Sequence, residues 1–262
     1  MIRPLTSNEL FHFTNFENIL GIIANGFYPH YNLEYTYLSN LFERPAVLFA
    51  VPMVCFCDLP TYLTEEHSSK YGKCAIGMKK DWGYKNGLNP ITYITANSKL
   101  SDAHSGLVNS FNKYHSSKVS NMEIIYMITQ ALKSTSHLGC FMKQYERTNE
   151  VVIIINGIQH TFPKGRFYDE REWRFVPYSN QGELMIINSN DITDEMLMKS
   201  HNEKLKEHKL SFELSDITHV LIERDAQEEV ITNVLANKFN CDPNLIQKSI
   251  DLLLMDQCWN YS

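Results

Sequence analysis

The stretch Phe167-Tyr168-Asp169-Glu170-Arg171-Glu172-Trp173-Arg174-Phe175-Val176-Pro177 interleaves charged and aromatic side chains with a period of two. Read as a strand, its successive side chains point to opposite faces. Trp173 and Phe175 then share one face, and Glu170, Glu172 and Arg174 line the other. The apolar face anchors the strand on a core, while the second face presents two carboxylates and a guanidinium. Glu-x-Glu in that geometry suits a positively charged, sugar-like transition state: one carboxylate stabilises the cation and the other orients or deprotonates the nucleophile. The same residues also read as a solvated sheet face carrying offset charges.

Upstream, Leu10 to Phe13 reads as a short apolar strand interrupted by His12, which faces away from Phe11 and Phe13. Asn15 is placed to cap a helix running to Asn25, with Phe16, Ile19, Leu20, Ile22 and Ile23 as its apolar stripe. Gly26 follows where a left-handed cap ends a helix. Tyr28 to Tyr31 and Tyr35 to Tyr37 read as an aromatic loop, a candidate pocket wall. Val47 to Cys57 is an apolar run with Pro52 inside it, one bent strand or two short ones, stopped by Pro60. Tyr71 to Met78 and Ile91 to Ile94 are further strands. After a polar stretch, Asn121 to Lys133 is a helix with Ile124, Ile125, Ile128 and Leu132 inward.

Downstream, Val151 to Ile155, Glu183 to Ile187 and Thr218 to Glu223 read as strands. Asp194 to Lys209 and Ala226 to Phe239 read as helices, and Asp242-Pro243 opens a last one with Asp at the cap. Strands and helices in irregular order argue an α+β fold rather than a doubly wound one. A single domain over 1–262 is expected, with its C-terminal strand and helices, about 216–258, packed on the rest.

Composition narrows the chemistry. The 262 residues are 44% hydrophobic and 21% charged with a net charge of −6, so no general phosphate-binding surface is expected. No apolar run is long enough to span a membrane and no signal region opens the chain, which points to the cytoplasm. Six scattered cysteines then read as reduced, mostly buried thiols. Cys55-x-Cys57, with His67 and Cys74 downstream, lacks the paired C-x-x-C of a closed zinc site, so no metal is expected. Neither phosphate-cradling glycine loop occurs, nor a G-x-S-x-G elbow, which argues against ATP-type, Rossmann-type and serine-hydrolase chemistry.

Phe11-His12-Phe13-Thr14, with the helix and Gly26 behind it, resembles the opening His-Phe-Thr signature of ADP-ribosyltransferase-like folds, including DarT-type toxins. Several segments together resemble the AbiGi abortive-infection family of bacterial phage-defence proteins. They are Phe11 to Thr14, Val54 to Pro60, Tyr71 to Trp82 with Gly87 to Ile94, and Glu170 to Arg174. The transferase resemblance implies a mixed β core with flanking helices and NAD as co-substrate. It implies Glu172 as the catalytic glutamate and Glu170 as the group that orients or activates the acceptor, a macromolecule or water. His12 and Thr14 would hold NAD, Tyr28 or Tyr37 would stack on nicotinamide, and Arg174 would bind the diphosphate or pair with a carboxylate. One departure is plain: Cys55-Phe56-Cys57 stands where the transferase pattern has a Ser-Thr-Ser strand. The AbiGi resemblance implies a role in abortive infection, whether as an enzyme or as a noncatalytic antitoxin that binds a cognate toxin.

Overall fold

The computed structural model describes residues 6–37, 46–95, 98–116, 121–155, 157–178, 187–188 and 194–259. The chain opens with β1 (Glu9–Thr14), α1 (Phe16–Asn25), β2 (His30–Tyr37) and the long β3 (Ala46–Cys57). It continues through α2 (Glu65–Tyr71), β4 (Cys74–Lys79), α3 (Lys80–Lys85), β5 (Asn89–Pro90) and β6 (Thr92–Ile94). A helical hairpin, α4 (Lys99–Ser116) and α5 (Met122–Gly139), precedes the short strands β7 (Met142–Gln144) and β8 (Glu146–Arg147). Then come the hairpin β9 (Val151–Ile155) and β10 (Ile158–Phe162), β11 (Gly165–Arg166), β12 (Glu172–Phe175) and β13 (Ile187–Asn188). The last elements are α6 (Glu195–Lys204), β14 (Ile217–Ile222), α7 (Ala226–Phe239), α8 (Pro243–Ser249) and β15 (Asp251–Leu254).

The central sheet runs β15-β14-β4-β1-β3-β12-β5, with β2 and β13 also paired to β3. Among the described residues only β14 and β15 are parallel within it, as the intervening α7 and α8 allow. The fold is therefore α+β with a mixed sheet. Its main core packs Leu10, Ile76, Met78 and Val220 of the sheet against Ile19 and Ile23 of α1 and Ile231 and Leu235 of α7. β3 does the organising. Its end, Val54 to Cys57, pairs with β12, while Ala46 to Met53 pairs with β2. β1 meets β3 at one register pair, Phe11 with Cys57. Between that pair and the start of β2, one side of β3 is left to face a cleft.

α1 begins and ends where expected: Asn15 accepts from the Asn18 amide, and Gly26 ends the helix at φ +91°, with ψ 179° in place of the left-handed cap expected. A side chain at Gly26 would lie 2.5 Å from the Leu210 carbonyl oxygen, which the Phe27 strand bridge brings close. The run with Pro52 is one strand, and α7 spans the residues expected of it. Asp242 caps α8 with Pro243 in its first turn.

Other readings are corrected. Residues 167–170 form a 3-10 turn, Arg171 takes a left-handed φ of +46°, and the strand opens only at Glu172. The reason lies in the partner: β3 ends at Cys57, opposite Glu172, so no ladder exists for earlier residues. The Tyr28 to Tyr37 loop is instead mostly β2, held along its whole length by β3. Tyr71 ends α2 rather than opening a strand, in a helix with Glu65 and Glu66 in its first turn and a Glu66–Lys70 pair. The polar stretch before Asn121 contains α4, and α5 leaves Ile124 45% exposed. β9 is apolar but half open, with Ile154 exposed, because among the described residues it pairs only with β10. Most of the strand expected at Glu183 to Ile187 lies outside the described residues.

Gly72, at φ +132° between α2 and β4, packs against β1 so tightly that a Cβ would sit 2.3 Å from the Thr14 carbonyl. Gly72→Ala should therefore destabilise the protein by about 2 kcal/mol or more, read by chemical denaturation.

Candidate functional site

The cleft beside β3 has a volume of about 750 Å³ and is walled by β1, α1, β2, the end of α2 and the segment from β7 to Glu172. Strand alternation sends Phe11 and Phe13 into a small core cluster with Cys57, so His12 turns the other way, into the cleft. His12 Nδ1 lies 2.7 Å from the Cys55 carbonyl. A carbonyl only accepts, so Nδ1 carries the proton and Nε2 is left as an acceptor. Burial pushes the His12 pKa down, and the imidazole is neutral. Thr14 lines the same wall, its hydroxyl accepting from Asn18 Nδ2 at 2.8 Å. Tyr28 is half-buried at the cleft edge. The backbone of Tyr37 pairs with Ala46, and its side chain lies outside the described residues.

The floor is a chain of buried charges. Arg174 is fully buried, its Nε donating to Glu172 Oε1 at 2.6 Å, Nη2 to Glu34 Oε1 at 2.6 Å and Nη1 to the Cys140 carbonyl at 2.7 Å. Lys143 Nζ donates to Glu172 Oε2 at 2.9 Å and to Glu170 Oε2 at 2.7 Å. Tyr71 completes the line by donating its hydroxyl to Glu170 Oε1 at 2.9 Å. The Glu172 amide donates to the Tyr93 hydroxyl at 2.9 Å. Glu170 reaches Lys143 from the 3-10 turn and Glu172 from the strand, so the break at Arg171 still brings both carboxylates to one ammonium.

Electrostatics follow from this packing. Burial would raise the Glu172 pKa, but Arg174 and Lys143 beside it hold the carboxyl well below the usual range. Burial likewise opposes the charge on Lys143, and Glu172, Glu34 and Glu170 hold it well above an ordinary lysine. Burial, then the neighbouring Glu170, pushes the Tyr71 phenol up, so it stays a donor. His67, against Phe13 and Tyr71, is pushed down to about 4, first by burial and then by Lys70. Cys55 and Cys57 share one face of β3, opposite Arg174 and Glu172, and among the described residues no three His, Cys, Asp or Glu are set to hold a metal ion.

Of the residues singled out in the sequence, His12, Thr14, Tyr28, Glu170 and Glu172 converge on this one cleft. Arg174 takes the second of the two roles left open for it, pairing with carboxylates. It is closed to a diphosphate. Sequence reading singled out neither Lys143, Glu34 nor Tyr93, and did not bring Tyr71 or His67 to this cleft. Lys143 sits in Met142-Lys143-Gln144, a three-residue strand with no pattern to mark it.

Glu172→Gln removes the charge that Arg174 and Lys143 share, and should cost about 3–5 kcal/mol of stability by chemical denaturation. A carboxyl depressed in the fold stabilises above its unfolded pKa, and that stability is lost as pH falls. His67 adds an earlier stage, because the unfolded chain takes up a proton below 6.5 that the folded chain refuses until about 4. Stability should therefore fall from pH 6.5 downward, and fall further below 4.5, the ordinary value for Glu172. Denaturation midpoints of His67→Asn should show a shallower decline between pH 6.5 and 4.

Comparison with known proteins agrees with the AbiGi resemblance. A family model described as "Putative abortive phage resistance protein AbiGi, antitoxin" matches residues 25–223. An abortive phage resistance protein AbiGi of Lactococcus lactis subsp. cremoris is 26% identical over 226 residues, covering 81% of this chain and 86% of the relative. No solved structure matches significantly. With its family match running from the end of α1 through β14, and so across the charged floor of the cleft, this chain belongs to the AbiGi family of abortive phage resistance proteins.

Proposed function

We propose that this chain acts in abortive-infection phage defence as a noncatalytic antitoxin, binding a cognate toxin as a single domain in the cytoplasm. The observation that carries this reading is the state of Glu172. Both of its oxygens are held by cations, Oε1 by Arg174 and Oε2 by Lys143. A carboxylate meant to stabilise a developing sugar cation acts through charge left free for the transition state. Here that charge is already spent within the fold, and Glu172 acts as a structural tie. The antitoxin description of the family supports the same reading. That no helix among the described residues is long and apolar enough to cross a membrane is compatible with a cytoplasmic site of action.

A second reading, an ADP-ribosyltransferase-like protein that takes up NAD, is favoured by one observation: His12, Thr14, Tyr28, Glu170 and Glu172 surround one cleft large enough for a nucleotide. In that reading Glu172 becomes available when ligand displaces Lys143, and the transferred ADP-ribose goes to a macromolecule or to water.

Two measurements separate the readings. Size-exclusion chromatography with the cognate toxin should show co-elution for the wild type and for His12→Ala. Incubation of wild type with millimolar NAD should release no nicotinamide. Failure to co-elute, or NAD turnover that disappears in a folded Glu172→Gln protein, would overturn the antitoxin reading in favour of the enzyme.

A further inference from the structure

The helical hairpin carries apolar surface that the fold leaves open. In α5, Ile125, Ile128, Leu132 and Thr135 share a face with Gly139, which packs on His104 of α4, and these side chains are buried or half-buried. A second stripe on α5 joins Ile124, Met127, Ala131, Ser134 and Leu138, at the i, i+3, i+7, i+10 and i+14 spacing of a coiled-coil seam. Its large members are nonetheless open to solvent, Ile124 at 45%, Met127 at 64% and Leu138 at 59%. α4 repeats the spacing with Leu100, Ala103, Leu107 and Ser110, all exposed. Each helical residue turns about 100° from the last, so in an antiparallel pair held at His104 and Gly139 both stripes face one side of the hairpin.

The extent of this face suits an interface. Its five large side chains alone leave roughly 500 Å² open, more than half of the ~800 Å² that each partner in a standard complex buries. The alternation of sizes suits a second α5. Laid antiparallel, with Ile124 opposite Ser134 of the second copy and Met127 opposite its Ala131, every layer joins a large and a small side chain. A parallel pairing would set Met127 on Met127 and Ala131 on Ala131, one layer crowded and the next hollow. No position of either stripe is charged, so two identical faces meet without like-charge repulsion.

We infer that the α4–α5 hairpin is a self-association face, on which a second copy of this chain docks its own hairpin to close a four-helix bundle. The inference stands apart from the cleft and holds for either reading of it.

Sedimentation equilibrium of the intact chain at micromolar concentration should give twice the chain mass. Met127→Glu and Leu107→Glu each place like charges on both sides of the interface, and should weaken the dimer about a hundredfold or more. Both side chains are exposed in the single chain, so the far-UV circular dichroism of these variants should not change. Met122→Glu is the control, because Met122 is 76% exposed but lies on the side of α5 opposite Ala131, and its dimer should stay intact. A wild type that sediments as a monomer, a dimer that survives both seam substitutions, or a dimer lost equally in Met122→Glu would overturn the inference. So would a monomer whose co-elution with the cognate toxin is lost in Met127→Glu, since the face would then belong to the toxin.

Discussion

A line of alternating charges, Glu34, Arg174, Glu172, Lys143 and Glu170, ties together segments that are remote in sequence. Glu34 comes from β2, Lys143 from β7, and the rest from the turn and strand around residue 172. Each member is expensive to bury alone and tolerable only in company. Arg174 is the extreme case, a guanidinium with no solvent exposure whose three donor nitrogens are all engaged. Such a network resists rearrangement, because displacing one member strands its neighbours as unpaired buried charges.

The rest of the fold can be understood as support for that line. β3 carries β12 on one stretch and β2 on another, which fixes the distance across which Arg174 reaches Glu34. The helical hairpin ends at Cys140, whose carbonyl takes the remaining Arg174 donor, so the hairpin is anchored at its base to the centre of the sheet. From there β7 delivers Lys143, held between two carboxylates and lying 5.0 Å from the Phe167 ring centre. Phe167, at the start of the 167–177 stretch, thus packs against the cation rather than extending a strand, while Tyr168 packs on Tyr93 and Tyr145.

This arrangement gives the cleft a double character. Its floor is polar, rigid and already satisfied, while its walls hold an imidazole acceptor and aromatic rings. A rigid floor with unmet hydrogen-bonding capacity above it suits recognition better than chemistry that needs a mobile, unpaired carboxylate. Membership of the AbiGi family sets this chain in phage defence.

Local physics written in the sequence settled many elements. Asn15 and Gly26 mark the ends of α1, Asp242-Pro243 starts α8, and the alternation Phe11-His12-Phe13 puts His12 on the face opposite a core. These signals involve residues a few positions apart, so the chain carries them whatever it packs against. Periodicity failed where a distant partner made the decision. Residues 167–170 alternate like a strand but turn, because β3 ends at Cys57 and offers no ladder further on. Tyr28 to Tyr37 has a loop's composition but becomes β2, because β3 pairs with it along its length. The sequence alone named Glu170, Glu172 and Arg174 as a charged face. Only the tertiary structure supplied Lys143 and Glu34, since Coulomb attraction between buried groups depends on distance in space and leaves no spacing in the chain to read.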